Sequence, residues 1–233
     1  MPAERYYHSS PFAPGGEITL ETNEARHLVS VMRGNPGDCV ELFDGRGHLA
    51  QGQVSTIHKK RGVTIEIQSV SFEALPVRTM TLYQAIPRSN RLDTILEKTT
   101  ELGVTTIILF PGARSERSNL APNQQARAQK VVVAAAKQCG RLWLPRIELA
   151  GPIGSWDPMD GDIFFGDIDA SAPRLRNIEI DKERPVGLVV GPESGLTHEE
   201  EKVLRASGAI GVSLNHNILR TDTAAIVGVA LLA

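Results

Sequence analysis

Hydrophobic and polar positions alternate over short stretches in the first third of the chain. Val40 to Phe43 reads as a strand, Asp44-Gly45-Arg46-Gly47 as a tight turn, and Leu49 to Ile57 as the hairpin partner. Gly62 to Val70 alternates again. One helix interrupts these strands, from Asn23 to Met32, with Asn23 as its N-cap. Together they predict a small β-barrel-like domain over residues 1–72, with Pro76 in the linker that follows.

From residue 78 onward the period changes. Strands are expected at Met80–Ile86, Thr105–Phe110, Ile163–Phe165, Val186–Val190 and Ile210–Leu214. Helices are expected at Leu92–Leu102, Gln124–Gly140, Glu199–Ala206 and Thr223–Leu232. Thr105–Phe110 and Val186–Val190 are continuous apolar runs, as parallel strands covered on both faces should be. Alternating strands and helices predict a layered α/β domain over residues 78–233, whose ligands bind at the carboxyl ends of its strands.

Composition narrows the class. Hydrophobic residues are 41% and charged residues 22% of the 233, which places the chain among folded globular proteins and excludes disorder as its main state. The longest apolar run, Ala224 to Ala233, falls short of the roughly 18 residues of a membrane span. No basic-then-apolar signal peptide opens the chain. Cys39 and Cys139 are too few and too far apart for a disulfide framework or a cysteine-based zinc site. A soluble, reducing, cytoplasmic setting is expected, with neither a membrane nor a metal as partner.

The net charge of −2 conceals a segregation. Residues 74–150 carry 11 basic and 5 acidic side chains, whereas residues 151–233 carry 7 basic and 13 acidic ones. A basic central band suits a polyanion or an acidic partner, and it equally suits pairing with the acidic last third. On a helix over 124–140, Arg127, Lys130, Lys137, Gln138 and Arg141 fall within an arc of about 100°, opposite Val131, Val132, Ala135, Ala136 and Cys139. Such a basic ridge neutralises phosphates, or is simply a solvated face. Arg88, Arg91, Arg114 and Arg117, near it in sequence, give the first reading weight.

Two strand-end loops carry candidate chemistry. In Val190-Gly191-Pro192-Glu193-Ser194-Gly195-Leu196 the glycines allow a sharp turn and a close approach to a ligand. Thr197 and Glu200 then form a Thr-x-x-Glu capping box. In Ser213-Leu214-Asn215-His216-Asn217-Ile218-Leu219-Arg220 the two asparagines suit left-handed backbone. Ile218 and Leu219 suit a pocket wall, and Arg220 stands at its mouth before a helix that Thr221 or Asp222 caps. That last helix is apolar almost all round, so it is expected to be buried against the core or a second subunit. The six histidines show no metal-ligand spacing, and no P-loop, G-x-G-x-x-G or G-x-S-x-G motif occurs.

Taken in order and spacing, several segments resemble the RsmE family, which belongs to the SPOUT superfamily and methylates N3 of a uridine in 16S ribosomal RNA. They are Ala25-Arg26-His27-Leu28-Val29-Ser30-Val31-Met32-Arg33, Gly37-Asp38 and Phe43-Asp44-Gly45. Leu96-Glu97-Lys98-Thr99-Thr100-Glu101-Leu102-Gly103-Val104, Ser115-Glu116-Arg117-Ser118, Ala136-Lys137-Gln138-Cys139-Gly140-Arg141 and Pro145 follow. At the C-terminus the likeness rests on Val190 to Leu196 and on Ile218-Leu219-Arg220-Thr221-Asp222-Thr223-Ala224-Ala225.

The resemblance implies an N-terminal PUA-like barrel (1–72) that helps hold RNA and a C-terminal SPOUT α/β domain (78–233) with a deep trefoil knot. It implies S-adenosyl-L-methionine as cofactor, small-subunit ribosomal RNA as substrate and a homodimer as the active unit. Carried over, the cofactor residues are Phe165, Gly166, Gly191, Pro192, Glu193, Gly195, Ser213, Leu214, Asn215, Asn217, Ile218, Leu219 and Arg220. Arg220 is the expected stabiliser of the uracil anion, and Glu193 or Asp222 the expected proton acceptor. Expected RNA contacts are Arg5, Arg33, Lys98, Arg117, Lys130, Lys137, Gln138 and Arg141. The chain departs from the family pattern at Ser194, where a second glycine is usual, and at Asn217, where an arginine is usual. Two other readings stay open: a SPOUT methyltransferase with a different RNA target, and an RNA-binding assembly factor without catalysis.

Overall fold

The computed structural model describes residues 5–58, 62–88 and 91–233, which divide into two compact units. The first unit holds the described residues up to Leu75 and, in addition, Ala136–Leu144. Its elements are β1 (Arg5–Tyr7), β2 (Glu17–Leu20), α1 (Thr22–Arg26), a π-helical turn (His27–Val31), β3 (Cys39–Phe43), β4 (His48–His58) and β5 (Gly62–Phe72). The strands form one sheet in the order β1-β3-β4-β5-β2. β1 runs parallel to β3, and all other neighbours are antiparallel. Val63, Ile65 and Ile67 alternate inward on β5 and pack with Leu42, Ala50, Val54 and Leu20.

The turn between β3 and β4 forms as the sequence predicts. Asp44 Oδ1 accepts the amides of Arg46 (2.8 Å) and His48 (3.1 Å), while Gly45 and Gly47 take positive φ. Residues 142–144 bond to this turn, through Gly47 N to Leu142 O and Leu144 N to Gly45 O. The predicted helix over 23–32 is corrected. A regular helix would place Val31 and Met32 on the same face as Leu28. The structure instead makes a π turn over His27–Val31, in which Leu28 is buried while Val31 and Met32 are exposed. Asn23 is not the cap, because Glu21 stands at that position without a side-chain bond.

The second unit contains β6 (Met80–Ala85), α2 (Arg91–Glu101), β7 (Thr106–Phe110), α3 (Pro122–Cys139, its last turn counted with the first unit) and β8 (Arg146–Leu149). β9 (Asp162–Gly166), β10 (Val186–Val190), α4 (His198–Ala206), β11 (Ile210–Val212) and α5 (Thr221–Leu232) follow. Six parallel strands lie in the order β11-β9-β10-β6-β7-β8. One face packs Met80, Leu82, Leu188 and Val190 against Ile95, Leu96, Val132 and Val229 of the helices. The other packs Phe110, Ile163, Phe165 and Val189 against Leu196 and Leu204. β10 lies between β9 and β6 with every residue buried, which is why its sequence is an unbroken apolar run.

α5 begins at Thr221, two residues earlier than predicted, and neither Thr221 nor Asp222 caps it. Ala225, Gly228, Val229 and Leu232 are buried, but Leu231 and Ala230 on the other side are exposed. No helix among the described residues is long and apolar enough to cross a membrane.

Candidate active site

Because β9, β10 and β11 are parallel neighbours, the turns leaving them all emerge at one edge of the sheet. Hydrogen bonds tie these turns together. Thr221 Oγ1 donates to Gly191 O at 2.8 Å, joining the start of α5 to the turn after β10. Ser213 bonds through its amide to Pro173 O (2.9 Å) and through its carbonyl to Leu175 N (3.1 Å), so the exit of β11 runs beside the segment after β9. Asp167 N donates to Val212 O, and the buried Asp167 carboxylate holds Arg205 of α4 at 2.5 Å.

The geometry at the turn after β10 favours glycine. A Cβ on Gly191 would lie 3.0 Å from Leu196 Cγ and from Leu196 N, and Gly195 has φ +75°. Thr197 and Glu200 make the expected capping box immediately afterward, at 3.2 and 2.7 Å. The turn is also gripped from outside. Arg114 Nη1 donates to Ser194 O and Leu196 O, both at 3.2 Å. Ser194 and Asn217, where the chain departs from the family pattern, sit at ordinary negative φ, as does Asn215. The expectation that asparagines supply left-handed backbone here is therefore corrected: Arg33, at φ 58°, is the one described non-glycine residue in that region.

Charge gathers at the mouth of these turns. Arg91 Nη1 bonds Asp222 Oδ1 at 2.7 Å, and its Nε lies 3.7 Å from Glu193 Oε1. Glu193 Oε1 also accepts the amide of Arg88 at 3.1 Å. Both expected proton acceptors are thus brought to one guanidinium, whose role within the basic band of residues 74–150 only the fold reveals. Arg220 stands two residues before Asp222, exposed, and its side chain has no hydrogen bond or ion pair among the described residues.

The other cofactor expectations divide. The amides of Glu193, Ser194, Leu214, Asn217, Ile218 and Leu219 have no acceptor among the described residues. Ile218 is 80% exposed and Leu214 is half-buried near Gly166, whose added Cβ would sit 3.8 Å from Leu214 Cδ1. Pro192 is buried and packs at Gly112. The Phe165 ring is fully buried in the core under the Arg205 guanidinium, 4.9 Å away, so only its backbone end reaches the site.

The expected RNA contacts also separate. Lys130 and Arg33 are exposed and Arg117 is half-buried, all three without a side-chain partner among the described residues. Lys98 pairs with Glu97 and Glu101, which raise its pKa. Arg127, also on the predicted ridge, bonds Asp93. Within the first unit, Lys137 pairs with Glu24 at 2.7 Å and lies over the Tyr6 ring. There too Arg5 bonds Glu41 and Gly140 O. Arg141 lies past the end of α3, where burial holds its guanidinium below its usual pKa. Gln138 and Cys139 are both exposed, so Cys139 leaves the apolar face expected for it.

Comparison with known proteins follows the same division of the chain. Residues 73–233 match an RNA methyltransferase domain, and residues 20–68 match an RNA methyltransferase PUA domain. Ribosomal RNA small subunit methyltransferase E of Mycobacterium bovis is 31% identical, over 97% of this chain and 90% of its own. The Bacillus subtilis protein of the same name is 27% identical, over 95% and 90%. A crystal structure of ribosomal RNA small subunit methyltransferase E from Neisseria gonorrhoeae, bound to S-adenosyl methionine, superposes with a TM-score of 0.85. It is 30% identical and covers 99% of this chain and 96% of that one.

Proposed function

The chain belongs to the ribosomal RNA small subunit methyltransferase E family, and from that premise we propose that it methylates N3 of a uridine in small-subunit ribosomal RNA, using S-adenosyl-L-methionine. The observation that carries this is the bond between Thr221 and Gly191, which closes two strand-end turns on each other with Arg220 at their mouth. The residues present suit the cofactor. Free backbone amides on both turns match the polar edge of an adenine and a carboxylate, and Ile218 and Leu214 offer apolar surface to the ring. When bound, the cofactor supplies an activated methyl group on a sulfonium.

The chain's own residues position and neutralise. Uracil N3 carries a proton that must leave before the nitrogen can attack the methyl carbon in line. Arg220, whose side chain has no partner among the described residues, holds the negative charge that then spreads to the uracil carbonyl oxygens. Glu193 and Asp222 are the carboxylates within reach of that proton. Arg91 holds both ready at one place. The base enters unstacked from its neighbours, and Lys130, Arg117 and Arg33 take phosphates.

Architecture supports the same reading. The five-stranded sheet of the first unit acts as a PUA-like barrel over residues 1–72, and residues 78–233 form the SPOUT domain. The passage of Ser213 beside residues 173–175 is the close packing that a trefoil knot needs. The uncovered apolar side of α5, with Leu231 exposed, is the seam of a homodimer. The test is methyl transfer from labelled cofactor to small ribosomal subunits, with the product nucleoside mapped. 3-Methyluridine at one position is expected. Cofactor binding without any methylated RNA would refute the enzyme reading and leave an assembly factor.

A further inference from the structure

Gln84 lies at the end of β6, where Met80 and Leu82 lead an alternation into the core, so an apolar side chain is the ordinary choice. It is fully buried. Burying an amide is unfavourable unless it is hydrogen-bonded, so its bonds account for its presence. Nε2 donates to Ala85 O at 2.9 Å and to Thr221 Oγ1 at 3.0 Å. The direction is forced. A carbonyl only accepts, so the amide nitrogen must face Ala85 O, and it then donates to Thr221 as well. The single hydroxyl proton of Thr221 is left for Gly191 O. Oε1 of Gln84 is buried with no partner among the described residues.

We propose that Gln84 is a positioning residue: the relay from Gln84 through Thr221 to Gly191 fixes the spacing between the turn after β10 and the start of α5. Glu193 and Arg220 are carried on the two sides of that spacing. This assignment rests on the reading of the two turns as the S-adenosylmethionine cradle, but the mechanical tie can be measured without cofactor.

The test uses the full chain with Gln84→Met, Thr221→Val, their combination, and Thr221→Ser. Hydrogen exchange is followed at the amide of Gly195, which bonds Pro192 O at 2.8 Å inside the turn. S-adenosylmethionine affinity is measured by calorimetry. Gln84→Met and Thr221→Val should each speed Gly195 exchange and weaken cofactor binding about tenfold (~1.4 kcal/mol). The double variant should be no worse than either single one, since both break one chain. Thr221→Ser should stay close to wild type. Unchanged Gly195 exchange in both single variants, or effects that multiply in the double, would overturn the relay. Should Gln84→Met fail to fold, Thr221→Val against Thr221→Ser decides alone, equal behaviour sinking the idea. If wild type binds no S-adenosylmethionine while both single variants still loosen the turn, the relay stands and the cradle reading falls.

Discussion

Replacing Arg91 by Met removes the guanidinium between Asp222 and Glu193 while keeping an unbranched stem. The contact to Asp222 is a charged hydrogen bond at 2.7 Å, and the one to Glu193, at 3.7 Å, is Coulombic only. At the effective dielectric of a protein surface, a pair about 4 Å apart attracts by roughly 4 kcal/mol before desolvation and ordering are counted. All three side chains remain about one-quarter exposed, so screening is substantial. The net loss should be about 1 kcal/mol, or roughly 2–4 °C in the melting midpoint of a chain this size. The effect on catalysis should be larger. Two carboxylates would be left to repel each other, and the first turn of α5, which follows Arg220, would lose one of its ties to the turn after β10. A fall of about tenfold to a hundredfold in kcat is expected, with cofactor affinity within about threefold of wild type. In a double-mutant cycle with Asp222→Asn, the pair should be no worse than the poorer single variant. Wild-type kcat in Arg91→Met, or strictly additive losses in the cycle, would remove Arg91 from the site.

Three further outcomes are expected. Arg220→Ala should reduce methyl transfer by about 10²–10³ with stability changed by no more than about 0.5 kcal/mol, since the side chain is exposed and has no partner among the described residues; a kinetic assay beside a thermal melt checks both. Arg117→Glu with Lys130→Glu should weaken RNA binding and lower its salt slope by about 1–2, read from binding isotherms at several salt concentrations. Burial, and secondarily Glu148, raises the pKa of Tyr83, which stacks on Trp156 at 5.1 Å. The folded state therefore keeps its phenol proton longer, so this contribution is complete below pH 10 and lost as pH rises above it; Tyr83→Phe should flatten that decline in alkaline denaturation curves.

Much of the fold was legible because core strands declare themselves. Val186–Val190 could be read to the residue, being buried on both faces. β1, β2 and β8 were missed for the opposite reason. They are three or four residues long and lie at sheet edges, and Arg146-Ile-Glu-Leu carries too much charge to show a buried face. The basic ridge was legible as charge but not as availability. Periodicity placed Lys137 on the outside, yet Glu24, more than a hundred residues earlier, takes its charge. Arg91 and Gln84 depend on such distant pairings too, although a glutamine after Met80 and Leu82 on an inward face was a signal open to a reader of the sequence.

The segment Ala136–Leu144 gives the first unit a long memory. Ala136 and Leu142 complete a small cluster with Phe43, and Trp143 Nε1 donates to Glu73 O. A fragment cut at residue 75 would therefore leave an aromatic ring wet and a carbonyl unanswered. During synthesis the amino-terminal third stays incomplete until nearly two-thirds of the chain has left the ribosome.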